Sequence, residues 1–107
     1  MPASALIAAF AESAPEGLAM RLSHYGASER LEVLAMLESE TAAAVASRLG
    51  RRELMEVPEE AFRRWLEDGA FDDAATLLGK LPRGEALARA ERVTDPGRRR
   101  RLQQFLH

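Results

Sequence analysis

Two acidic pairs lie close together in the chain, Glu67-Asp68 and Asp72-Asp73, with Gly69 in the gap between them. A turn at the glycine would bring all four carboxylates toward one corner. Oxygen donors of this kind suit a hard cation such as magnesium. That ion keeps several of its waters and needs only one or two carboxylates from a protein. Acids in the first turn of a helix are also stabilised by the helix dipole and by free N–H groups, with no metal at all. Spacing alone leaves both readings open. The segment is not an EF-hand, since the alternating aspartates, the glycine after them and the closing glutamate are missing.

Other chemistry is sparse. Cysteine is absent, which removes disulfides, thiol nucleophiles and thiolate-bound zinc. The two histidines are His24, expected at an exposed helix end, and the terminal His107. Gly79-Lys80 lacks the upstream glycine and the hydroxyl residue of a phosphate-binding loop, and no serine sits in a nucleophile elbow. The sequence is therefore read as non-enzymatic. Arg98 to Arg101 form a basic run, but a helix spreads four successive residues around a full turn, and no aromatic residues interleave with them. Nucleic-acid binding is not expected. Arg98 and Arg101 share a side at i, i+3 and are the candidates for touching a partner surface or acids on a neighbouring helix.

These residues need a scaffold. The chain has 107 residues, 47% hydrophobic and 30% charged, enough for one domain with a core. No apolar run reaches the roughly 18 residues of a membrane span, and the start has no basic, apolar leader pattern, so a cytoplasmic setting is expected. The formal net charge of -2 hides an asymmetry. From Pro82 onward seven arginines face three acids, whereas residues 1–81 carry fourteen acids and eight cations. Alanine, leucine, glutamate and arginine dominate, β-branched residues are scattered, and nothing alternates like a strand.

The expected fold class is all-α, with eight or nine short helices stacked into a solenoid-like array. Ser13 is expected to cap a helix with Pro15 in its first turn and Leu18, Leu22 and Tyr25 on one face, ended by Gly26. A helix from about Ser28 should bury Leu31, Leu34, Ala35 and Leu37. Ser39 should cap a third with Ala42, Val45, Ala46 and Leu49, stopped by Gly50. Leu54 and Val57 anchor a short piece. Pro58 opens a helix with Phe62, Trp65 and Leu66 inward. Asp72 to Leu81 follows, with Leu77, Leu78 and Leu81. Pro82 opens one with Leu87, Ala90 and Val93, and Asp95-Pro96 launches the last, with Leu102, Phe105 and Leu106. Leu37 to Leu49 and Leu81 to Val93 are both steps of 12, a degenerate repeat. Residues 1–14 read as a capping helix carrying Leu6, Ile7 and Phe10. Helices this short do not stand alone in water, so each must bury its stripe on a neighbour.

Leu49-Gly50-Arg51-Arg52-Glu53-Leu54 and the run Trp65-Leu66-Glu67-Asp68-Gly69-Ala70-Phe71-Asp72-Asp73-Ala74-Ala75-Thr76-Leu77-Leu78-Gly79-Lys80-Leu81-Pro82 resemble the cytoplasmic N domain of MgtE magnesium transporters. Val93-Thr94-Asp95-Pro96 and the helix to His107 are similar to the helix leading from that domain toward paired CBS domains. The resemblance covers residues 15–107, with 95–107 as that connecting helix. It implies a right-handed superhelix and a regulatory role at the cytosolic face of the inner membrane. There magnesium would bind acidic interfaces with the CBS domains and the transmembrane pore domain, of the same or a partner chain, and favour the closed channel. Asp72 matches an N-domain acid at such an interface, with Asp73 its neighbour; Glu67 and Asp68 complete the candidate metal set. Ala44 stands where the family often has a carboxylate. By itself the domain would hold at most half of each site, so weak or absent magnesium binding is expected of it. The full-length protein would be a homodimer, with contacts largely from parts outside this chain. The nearest confusable relative is the middle domain of the flagellar rotor protein FliG, which would make the chain a helical protein–protein adaptor without metal sensing.

Overall fold

The computed structural model describes residues 3–107 and, among them, nine α-helices and no strand. They are α1 (Ala3–Ser13), α2 (Pro15–Leu22), α3 (Ala27–Ala35), α4 (Ser39–Ala46), α5 (Arg51–Met55), α6 (Glu59–Asp68), α7 (Phe71–Gly79), α8 (Arg83–Glu91) and α9 (Pro96–Leu106). None is long and apolar enough to cross a membrane. Most are of eight to eleven residues, so their stability must come from packing. Leu22, Leu49, Leu54, Phe62, Leu66, Leu77, Leu78 and Leu102 are the largest of the fully buried side chains. Helix α4 lies at the centre, against α1, α2, α3, α6 and α7. Its buried face is Ala42, Ala43, Val45 and Ala46, and such small side chains let several helices approach closely.

The corners between helices repeat. After α3, α4, α5, α7 and α8 the chain tightens into a last turn of i→i+3 bonds. Leu37 N–H donates to Leu34 O, Leu49 to Ala46 O, Val57 to Leu54 O, Leu81 to Leu78 O and Val93 to Ala90 O. The donor is a buried aliphatic residue each time. An extended residue then starts the next helix: Glu38, Gly50, Pro58 and Pro82. The 12-residue step in the sequence is this corner recurring. Between α6 and α7 the extended residue is Ala70, and Gly69 stands where the other corners have their buried aliphatic residue, its N–H donating to Trp65 O; there no side chain fits. A Cβ at that position would come within 2.6 Å of both Ala43 Cβ and the Trp65 carbonyl oxygen. The requirement is close approach, since its φ of -69° is open to any residue. Gly69→Ala is therefore expected to lower unfolding free energy by about 1–3 kcal/mol in urea titrations, as overpacked cores do.

The carbonyls left free at helix ends need partners. Here cationic side chains from elsewhere in the chain supply them. Arg30, only 7% exposed, donates to Leu22 O at 3.1 Å and Tyr25 O at 2.8 Å at the end of α2, and pairs with Glu56 at 2.7 Å. Lys80 Nζ donates to Ser47 O and, at 2.6 Å, to Leu49 O beyond α4. Arg98 closes α6 through Leu66 O at 2.9 Å and Gly69 O at 2.7 Å. Arg51 takes Lys80 O after α7, Arg99 takes Val93 O after α8, and Arg83 takes Leu106 O at the end of α9. Positive charge at a helix C-terminus also complements the dipole.

Several boundaries differ from the sequence reading. Ser13 does not cap α2. Its hydroxyl bonds back to Ala9 O, and Ala14 takes the cap position with no side-chain bond. Tyr25 is 41% exposed, because α2 ends at Leu22 and the chain turns there. Gly26 begins α3 in place of ending α2. Ala35 is exposed and Leu31 half-buried, since α3 is an edge helix packed chiefly on α4. Phe105 is 54% exposed because α9 is an outer layer on α7 and α8 whose inward position is Leu102. By contrast, Asp95 caps α9 as its sequence implies, accepting from Arg98 N at 2.8 Å. The side chain of greatest consequence for α2 is Arg30. Arg30→Met is expected to cost about 1–3 kcal/mol, because it removes the guanidinium bonds to Leu22 O and Tyr25 O and leaves Glu56 without its ion-pair partner, while Leu22 O keeps only the Tyr25 N–H; thermal unfolding followed by circular dichroism measures it.

Candidate functional site

The four acids of the α6–α7 corner have different fates. Glu67, half-buried in the last turn of α6, is engaged inside the chain. One oxygen accepts from the Thr94 N–H at 2.8 Å and from the Thr94 hydroxyl, and the other pairs with Arg63 one turn back. Asp73, in the first turn of α7, accepts from the Ser47 hydroxyl of α4 at 3.3 Å. Asp68 and Asp72 are exposed, and among the described residues neither carboxylate has a hydrogen-bond or ion-pair partner. Thr76 bonds to the backbone oxygen of Asp72 and leaves its side chain open.

The corner also contains a cation of its own. The Arg98 guanidinium sits on Leu66 O and Gly69 O, the carbonyls on either side of the Glu67-Asp68 pair. Arg101 lies over the Phe71 ring, 4.1 Å from its centroid. Both arginines expected to face a partner are thus held by their own chain. Among the described residues no three Asp, Glu or His side chains converge where they could hold one ion. The residues therefore offer open carboxylates at Asp68 and Asp72, without a closed cage. Asp73 also lines a shallow cleft of about 190 Å³ with Glu12, Glu40 and Thr41, between α1, α4 and α7.

Two further features were not visible as sites in the sequence. Leu31, Leu37, Pro58, Ala61 and Trp65 line an apolar groove of about 270 Å³ between α3 and α6. Trp65 itself is core, as its stripe implies. A second groove of about 650 Å³ runs between α8 and α9. The helix-closing cations were also missed. Their signal in the sequence was weak: one lysine among fourteen arginines, each ordinary as a surface residue.

No family model, no curated protein and no solved structure matches this chain.

Electrostatics single out Glu67. Burial pushes its carboxyl up, but the two hydrogen bonds from Thr94 and the charge of Arg63 outweigh that and hold it below the usual carboxylate range. A lowered folded-state value gives stability that is present above the unfolded-state value and lost as pH falls through the folded one. The clasp between α6 and the α8–α9 loop should accordingly weaken in acid, below about pH 4.5. Glu67→Gln is expected to be destabilised most at neutral pH, with its deficit against the parent shrinking toward pH 3; urea titrations across that range check it.

Proposed function

We propose that this chain is a non-enzymatic regulatory module of a magnesium-transport system, similar to the MgtE N domain. In this reading Asp68 and Asp72 contribute an open half of an interfacial magnesium site, completed by acids on a second surface such as a CBS or pore domain. Asp73 sits at the margin, held by Ser47, and Glu67 supports the corner from behind through Thr94. The finer architecture belongs to the same reading: short helices wound as a right-handed superhelix. The outline of 43 × 24 × 20 Å and the repeated corners support an elongated stack.

One observation carries the proposal: two carboxylates at one helix–helix corner are left open while their neighbours are bonded within the chain. Opposed carboxylates on a second surface would repel them until a divalent ion lay between. An ion that binds only the docked arrangement shifts the population toward it. With only half the donors present, this chain should bind magnesium weakly. Titration with magnesium chloride, followed by amide NMR shifts, is expected to give changes centred on residues 67–73 in the millimolar range. Asp72→Ala should remove them. No change at that corner, or equal changes at every exposed acid, overturns the reading.

A second reading is a FliG-like adaptor that binds partner helices without metal. The observation favouring it is the open apolar groove of Leu31, Leu37, Ala61 and Trp65. The same titration separates the two, since an adaptor surface of this kind would not respond to magnesium at Asp68 and Asp72.

A further inference from the structure

Helices α8 and α9 pack as an antiparallel pair. Arg83 at the start of α8 reaches Leu106 O at the end of α9, and Arg99 reaches back to Val93 O in the loop joining them. The groove between the two helices opens to solvent. Leu87 and Ala88 are on its α8 wall, and Gln103 and Gln104 are on its α9 wall. Glu91 and Arg100 stand on opposite walls at one end.

Three observations set this groove apart. First, Arg100 is the one arginine from Arg83 onward, among the described residues, with no hydrogen bond, ion pair or aromatic partner. Arg83, Arg98 and Arg99 cap carbonyls, Arg89 and Arg92 pair with Glu85 and Glu59, and Arg101 covers Phe71. Second, Glu91 on the facing wall is also exposed and unpaired, and no ion pair joins the two. Third, Gly84 lies at the far end of the same groove, and a Cβ there would meet nothing within 4 Å. The fold itself does not require that glycine. A helix position without a side chain lets another backbone approach closely.

We propose that the α8–α9 groove is a self-association surface, occupied by the same groove of a second copy of this chain. The charge pattern selects that occupant. A two-fold axis running along the groove exchanges its walls and keeps position along it. Glu91 of each copy then lies over Arg100 of the other, so the two unpaired charges of each copy, four in all, become two ion pairs by one symmetry operation. The same operation sets the Gly84–Ala88 edge of each α8 against the other copy's α9. The product is a four-helix arrangement with Leu87 from both copies inside. The pairs fix orientation as well as adding attraction. This surface is separate from the α6–α7 corner, so it stands or falls independently of the magnesium reading.

The test is charge reversal read by sedimentation equilibrium up to about 1 mM chain, as suits a small, transient interface. Parent protein should show concentration-dependent doubling of mass that weakens with added salt. Glu91→Arg and Arg100→Glu should each weaken self-association by about tenfold or more, since like charges then face each other. Mixing the two variants should restore a dimer, because one chain then presents only positive and the other only negative charge at the contact. Both residues are exposed and unpaired, so the variants should keep the parent's melting temperature. A parent chain that stays monomeric at the highest concentration overturns the proposal and leaves the groove to a different partner. So does a mixture that behaves no differently from its components.

Discussion

Short helices leave a large share of their backbone carbonyls without partners, and this constraint shapes the whole molecule. A helix of eight residues satisfies few of its C=O groups internally. Glycine caps in the left-handed conformation are one common remedy. They are not used here, since no described residue has positive φ. The chain instead sends a cation from another element onto the ends of six of the nine described helices, α2, α4, α6, α7, α8 and α9: Arg30, Lys80, Arg98, Arg51, Arg99 and Arg83 in turn. Each such contact spans up to 33 positions in sequence. Caps therefore act as tertiary ties, and closing a helix end and docking its neighbour become one event.

That economy also explains the electrostatics of the α6–α7 corner. Two acidic pairs beside a helix C-terminus would concentrate negative charge. Arg98 neutralises the carbonyl end, Arg63 and Thr94 take Glu67, and Ser47 takes Asp73. What remains outward is a smaller negative surface at Asp68 and Asp72. An Asp–Asp pair in a first turn is thus divided by geometry. Successive helix positions point about 100° apart, so one faces α4 while its neighbour faces solvent.

The helices themselves were legible because punctuation and periodicity agreed. Pro58, Pro82 and Asp95-Pro96 mark helix starts that the structure keeps, and Phe62, Trp65 and Leu66 form the stripe their spacing implies. Ser13 and Tyr25 misled for a physical reason. A serine near a helix junction can bond backward as readily as forward, and an apolar residue at i+7 is inward only if the helix reaches it. The binding surfaces were less legible. Which arginine is spent on a carbonyl and which is free depends on elements about thirty residues away, and local pattern does not encode that. Arg98 and Arg100 look alike in the sequence; one is a structural tie and the other faces an open groove.

Lys80 carries a chemical consequence of its own. It is the sole lysine, so side-chain amine chemistry in this protein comes down to one nitrogen atom. That nitrogen is tucked against two carbonyls between α4 and α7, and burial beside Arg48 lowers its proton affinity. The side chain stays half-exposed, so an amine-directed reagent competes with those two hydrogen bonds for the nitrogen. The rate of tagging at that atom becomes a clock for release of the tie between α7 and the end of α4, with no engineered probe required.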